Sequence, residues 1–290
     1  MKCDAERMAE IFIRYTRYQV IDELYHYTDI DCMENILQND KVVFRMTNIN
    51  DFSDKMESKS IEVYFDLAIE QLYIDGVIDL KIKELLSSIK IDEKHLFSTV
   101  DKIFGGEYMK SEPYDVYVLC FTTDGNSSYM TENYIRNSEH KGCIIHVNRN
   151  ACGDFCKKSH DYLMMKVIYG KEVIDNIYKF IKDELICGDK SDEFINKYVI
   201  PLIVAYIHQL RYCTKLSKFK SEKEIRLIKY IPKTENYDEN FKIEEINGKC
   251  YGYIELERYG CWDVRLVGNY KTDETQRYCD LLSERQYRVI

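Results

Sequence analysis

From residue 114 onward the chain reads as a succession of short apolar segments broken by turns. These are DVYVLCFT (115–122), GCIIHV (142–147), YLMMKVIYG (162–170), KEIRLIKYI (223–231), YGYIELER (251–258) and WDVRLVG (262–268). Each has the length and the Val, Ile, Tyr and Phe content of a strand. Ahead of them stand only two such segments, ELYHYT (23–28) and KVVFRM (41–46). This clustering excludes the regular strand–helix alternation of a doubly wound parallel sheet and predicts an α+β fold. Neither GxGxxG nor GxxxxGK[ST] occurs, so no glycine-rich phosphate loop is predicted.

Helical spacing fills the gaps. Met8, Ile11, Phe12 and Tyr15 predict an N-terminal amphipathic helix over 4–20. Asp29 or Asp31 can cap a short helix carrying Met33, Ile36 and Leu37. Ile61, Phe65, Ala68, Ile69 and Leu72 form one stripe in the stretch 51–90. A short helix follows over 126–137, residues 171–212 read as mostly helical with Pro201 near a start or kink, and 272–285 closes the chain. The expectation is one domain over 1–290 with helical insertions at about 51–110 and 171–212.

Charge and cysteine usage narrow the function classes. A net charge of −9 argues against a protein that coats nucleic acid, because counterion release favours basic surfaces. A local basic patch at Lys215, Lys218, Lys220 and Lys223 remains compatible with contact to a polyanion. The 11 cysteines are irregularly spaced, no hydrophobic leader precedes them, and no run reaches membrane-span length. Reduced thiols and a cytoplasmic, non-membrane location are expected.

Four constellations carry possible chemistry. His26 ends an aromatic strand, beside Tyr27 and Thr28; alone, such a histidine is more often structural. Thr122 sits at the mouth of the strand ending in Cys120 and Phe121, with Tyr129 and Tyr134 on the helix after it. Those tyrosines are either core edges or a platform for a planar ligand. Glu222 and Glu224 stand two apart at a strand start and point to one side, flanked by Lys223 and Arg226. Half-buried, they would raise one another's pKa; a solvated strand edge is the plainer alternative. Cys152, Cys156 and His160 match zinc spacing poorly and read as structural, so no metal site is predicted.

The order of these segments resembles the bacterial domain of unknown function 2971 family. LYHYTDIDCMENILQNDKVVFRMTNINDFSDKME is similar to that family's L-Y-H-Y-T opening, short helix, strand and F-N-D-P-x-E. Cys120-Phe121-Thr122 looks like its C-F-S, and YMTENYIRNSEHKGCIIHV like its M-W-x-x-Y…H-x-G block, which matches Tyr134, His140 and Gly142. YLMMKVIYG resembles its K-V-x-Y strand, and Lys215 to Arg226 its K…W-x-x-E-x-E-x-R block. Thr131 stands in place of the family's Trp, and Ser53 and Lys55 in place of Asn and Pro.

The resulting His–Tyr–Glu order is similar to that of diphtheria-toxin-like ADP-ribosyltransferases and poly(ADP-ribose) polymerases. The resemblance implies a split antiparallel β-sandwich of ADP-ribosyltransferase type, with N-terminal and inserted helices. It implies NAD as substrate and transfer of ADP-ribose to a nucleic-acid or protein acceptor, by a bacterial toxin or anti-phage defence effector with an antitoxin or immunity partner. Glu224 would stabilise the oxocarbenium-like state and Glu222 activate the acceptor. His26, with Tyr27 and Thr28, would line the ribose or nicotinamide end, near Thr122. Tyr134 would stack on nicotinamide with Tyr129 in reserve, and Arg45 or Arg226 would pair with the pyrophosphate. A non-catalytic nucleotide-sensing or interaction module and a nuclease toxin are the alternatives.

Overall fold

The computed structural model describes residues 23–52, 60–89, 114–135, 140–147, 162–187, 195–232, 241–257 and 262–290. The expected helix over 4–20 and the Cys152, Cys156 and His160 group lie outside the described residues. Helices and a mostly antiparallel sheet make an α+β fold, as the clustering of strand segments predicts.

The sheet is organised about β3 (Tyr114–Thr122), which pairs with three other strands. Along one edge, β8 (Glu224–Pro232) pairs with it antiparallel from Tyr114↔Pro232 to Thr122↔Glu224, and β5 (Tyr162–Lys166) lies outside β8. The other edge is shared. β1 (Leu24–Asp29) meets β3 at Tyr25↔Thr122, whereas β2 (Lys41–Asn48) meets it lower down, at Thr47↔Val118 and Asn48↔Tyr117. The sheet therefore forks. One branch runs through β4 (Gly142–Val147), β11 (Asp263–Val267) and β12 (Arg288–Val289). The other runs through β10 (Lys249–Glu257) to β9 (Lys242–Ile246).

Strand alternation decides which side chains fill the fork. Tyr117, Leu119 and Phe121 of β3 and Ile225, Leu227 and Ile231 of β8 share one face. They pack with Leu24, Phe44, Met46, Ile145, Val264 and Trp262 from both branches in a single core. Two helices close it: α1 (Ile30–Ile36) through Met33 and Ile36, and α7 (Thr272–Glu284) through Leu282. The opposite face of β3 and β8 carries Val116, Val118 and Ile228 against Tyr212 and Cys213, then Cys120, Thr122, Glu224 and Arg226 toward the β3 C-terminal end.

A second apolar core lies between helices from two insertions far apart in sequence. It joins α2 (Ser60–Ile74) and α3 (Leu80–Ser87) to α5 (Lys171–Cys187), the π-helical turn Ile195–Val199 and α6 (Ile200–Arg211). Pro201 stands in the first turn of α6, where a missing N–H removes no helix bond. The α5–α6 excursion leaves the sheet after β6 (Ile168–Tyr169) and returns at β7 (Thr214–Lys215), which pair in parallel. That return delivers Lys215 to the base of β8. No helix among the described residues is long and apolar enough to cross a membrane.

Candidate functional site

Where β3 ends and β8 begins, three chain segments are held in place by local bonds. The loop after β3 is fixed from β1: Tyr27 donates its hydroxyl to the Asp124 carbonyl at 2.9 Å and accepts from the Ser127 backbone N–H at 3.0 Å. Arg265 of β11 adds bonds to the Gly125 carbonyl and to Asn126 Oδ1. Ser127 then caps α4 (Ser128–Tyr134) through the Met130 N–H at 3.2 Å, which aims the end of that helix at β8. The third segment is the 3₁₀ turn Ser217–Glu222. Gly170 has φ +56°, and a Cβ there would fall 1.9 Å from Ser217 Oγ, so only glycine lets the β6 loop meet the start of this turn. Lys223 leaves the turn with φ 46° and places Glu222 and Glu224 on one side.

Five side chains join there in one network. Tyr134 donates its hydroxyl to Glu222 Oε1 at 2.8 Å. Lys215 Nζ lies 2.7 Å from Glu222 Oε2 and 2.6 Å from Glu224 Oε2; the second contact is off the hydrogen-bonding direction and acts through charge. Arg226 Nε donates to Glu224 Oε1 at 2.8 Å, and its Nη1 donates to the Tyr212 carbonyl. The Glu224 backbone N–H donates to the Tyr169 hydroxyl oxygen at 2.9 Å. Phe52 covers the guanidinium, with Arg226 Cζ 5.5 Å from its ring centre.

The carboxylates are nearly dry, with Glu222 4% and Glu224 3% exposed, but their surroundings differ. Burial would raise Glu224; Arg226 and Lys215 outweigh it and hold the group well below the usual carboxylate range. Burial raises Glu222 too, and there Lys215 and the Tyr134 hydroxyl do not fully compensate, so its pKa stands above the ordinary value. The two adjacent carboxylates are thus shifted in opposite directions, Glu224 toward the anion and Glu222 toward the neutral acid. Burial, with Glu224 beside it, pushes the Cys120 thiol up, so it is a neutral wall and not a nucleophile. Tyr134 keeps its proton for the same reason, since burial lifts its phenol well above the normal value. The residue is nonetheless 36% exposed, so part of the ring is open to solvent beside the carboxylates.

Of the residues singled out from sequence, Tyr134, Glu222, Glu224 and Arg226 are brought together, and Thr122 faces Glu224 across the β3–β8 ladder. Thr122 is buried and accepts from the Asp124 N–H at 3.1 Å. His26 is not brought to this cluster. Because Tyr25 pairs with Thr122, alternation turns Tyr25 and Tyr27 toward the Glu224 face and His26 toward the fork. Its ring sits 5.1 Å from Phe44 and 6.0 Å from Phe121, both edge-on, and Nδ1 lies 3.1 Å from the Cys120 carbonyl. That carbonyl only accepts, so Nδ1 carries the proton; burial lowers the pKa and keeps the ring neutral. Tyr27 is a buried loop anchor, and Thr28 is buried opposite Cys143. Tyr129 packs against the small core of Tyr27, Met130 and Ile144, so it is a core edge. Arg45 is exposed on β2 with its guanidinium 4.4 Å above the Tyr251 ring, and it is not bonded into the network.

Tyr169, Tyr212 and Phe52 are the contributors that residue-type reasoning overlooks. Lys215, which stands seven positions before Glu222, is singled out in sequence as part of a basic patch and as the leading Lys of the K…E-x-E-x-R spacing, but the structure places it between the two carboxylates and not on an open basic surface. Among the described residues no group of three His, Cys, Asp or Glu side chains is arranged to hold a metal ion. No family model, no curated protein and no solved structure matches the chain. The resemblance drawn from its motifs therefore stands on the quoted residues alone.

Proposed function

We propose that this protein is an NAD-dependent ADP-ribosyltransferase whose reaction centre is the Tyr134–Glu222–Lys215–Glu224–Arg226 network. One observation carries the reading: two adjacent carboxylates are driven to opposite protonation behaviour directly beside a partly exposed aromatic ring. The forked antiparallel sheet and the Tyr-then-Glu order support it.

In this reading the exposed flank of Tyr134 receives the nicotinamide ring by stacking. The C–N bond between nicotinamide and ribose breaks, and nicotinamide leaves as a neutral molecule with the bonding pair. Positive charge then spreads over the ribose C1 and ring oxygen, and the anionic Glu224 stabilises it. The acceptor nucleophile bonds to C1 and gives its proton to Glu222, whose raised pKa suits a general base. Lys215 and Arg226 keep Glu224 ionised throughout. Such an enzyme, directed at macromolecules of its own or an invading genome, acts as a toxin or defence effector and requires a neutralising partner. The free thiols at Cys32, Cys120, Cys143, Cys213, Cys250 and Cys279 suit a reducing cytoplasm.

A second reading has an observation in its favour: both Glu224 oxygens are already engaged, by Arg226 and by Lys215. A non-catalytic nucleotide-binding module would keep that network closed. Purified protein incubated with NAD separates the two, because a transferase releases nicotinamide and a sensor binds NAD without consuming it.

A further inference from the structure

We propose that the acceptor is a single-stranded nucleic acid, held at the rim of the site by the turn that carries Lys218, Phe219, Lys220 and Lys223. This deepens the transferase reading and rests on it.

The turn concentrates cations. The protein carries a net charge of −9, and several lysines elsewhere are matched to carboxylates: Lys41 to Glu255, Lys83 to Glu70, Lys141 to Glu274 and Lys242 to Glu244. Lys218 and Lys220 are exposed and have no carboxylate partner among the described residues. Lys223, also exposed, is paired among the described residues with Asp124, at 2.9 Å. The single acid within 218–223 is Glu222, which is buried and already engaged by Tyr134 and Lys215. The local field at the mouth is thus positive on an acidic protein.

Position gives that field a use. The turn that carries these lysines packs against the helix ending in Tyr134, whose hydroxyl reaches Glu222, so the positive field stands beside the site. Phe219 is half-buried with Lys218 Nζ 4.8 Å from its ring centre, and the open flank of Tyr134 lies across Glu222. Cations that track a backbone, interleaved with aromatic faces, are what single strands bind. A single strand also presents unstacked bases and free hydroxyls as nucleophiles, which a duplex conceals.

The test uses fluorescence anisotropy with a labelled single-stranded RNA of about twelve nucleotides and its DNA counterpart, from about 50 to about 300 mM salt. Each phosphate contact contributes a slope of about 0.7 in log affinity against log salt, so K218Q/K220Q should flatten the slope by about 1.4. Binding near 50 mM salt should weaken at least tenfold. Nicotinamide release from NAD without acceptor should be unchanged in K218Q/K220Q, and the thermal midpoint unmoved; K218A alone, giving half the slope change, repeats the readout in a milder variant. Absence of binding to either strand at low salt, or equal slopes in both proteins, overturns the proposal. So does labelled ADP-ribose that protease removes and nuclease does not, which assigns a protein acceptor. Failure of NAD turnover in the wild type would sink the transferase reading separately, while the binding measurement still reports on the rim.

Discussion

Replacing Lys215 with Met removes one ammonium from between two buried carboxylates that it touches at 2.7 and 2.6 Å. The methionine chain can follow the lysine stem, so packing is largely kept and charge is the variable. Removing one partner from a buried ionic network costs about 3–5 kcal/mol. At about 2 °C per kcal/mol for a chain of this size, the midpoint should fall by roughly 6–10 °C near pH 8. The loss should shrink at lower pH. Without Lys215, Glu222 keeps its desolvation and its anionic neighbour but loses its chief compensation, so its folded pKa rises further. A carboxyl whose folded pKa is raised favours the protonated fold; that stability is present below the unfolded value and is lost as pH rises through the folded one. Glu224 stays ionised through Arg226 at either pH. Thermal unfolding of wild type and K215M at pH 5 and pH 8 is therefore expected to show a clearly smaller gap at pH 5. A gap under about 2 °C at pH 8, or the same gap at both values, would refute the charge-sharing account.

Three further substitutions test the role assigned to the Tyr134 ring and the effect of a buried neutral histidine. Tyr134→Ala should weaken NAD binding by about 1–3 kcal/mol, the scale of one aromatic–base stack, whereas Tyr134→Phe should bind within a few-fold of wild type. Tyr134→Phe should also move the acid limb of turnover to higher pH, because Glu222 loses a hydrogen bond to its ionised form; equal binding losses in both variants would count against stacking. His208 is buried at 3% exposure, and burial with Arg211 nearby lowers its pKa to about 3, while burial lowers His26 as well. Both rings are kept neutral in the fold, so stability should fall as pH drops below the ordinary value near 6.5, by up to about 1.4 kcal/mol per pH unit for each ring. In urea titrations at pH 6.5 and pH 5, His208→Gln should show a shallower decline than wild type; an unchanged slope would exclude His208 as a contributor.

Much of the architecture is legible because strand and helix periodicities differ and rarely compete here. GCIIHV is expected over 142–147 and forms β4 there, and DVYVLCFT over 115–122 differs from β3 by one residue. The segments that sequence reading passes over are short or weakly apolar. β9 (KIEEI) has too many charges to stand out, and β7 and β12 have two residues each and exist only through their partners. The Glu222/Glu224 pair is legible from its spacing, although the structure puts Glu222 at the end of a 3₁₀ turn and brings the two to one side through the left-handed Lys223 and not through strand alternation. His26 shows the limit of motif order. Its place in the chain matches the His–Tyr–Glu series, yet its face depends on the pairing Tyr25↔Thr122, which turns the ring into the fork. A register is a long-range property, and a shift of one residue reverses every side chain on a strand. Lys215 shows a related limit: sequence reading puts it in a basic patch, and it reaches the carboxylates only because α5 and α6 return the chain beside β6.

The central claim is that Glu224 is the anion that stabilises transfer from NAD. Wild type and Glu224→Gln, incubated with NAD carrying a labelled adenylate phosphate and a cell extract, test it by nicotinamide release and by label in the macromolecular fraction. The account predicts release and labelling by wild type, a loss of about 10²–10³-fold in the variant, and NAD affinity within about threefold of wild type. No nicotinamide release by wild type, or equal release by both proteins, would contradict it.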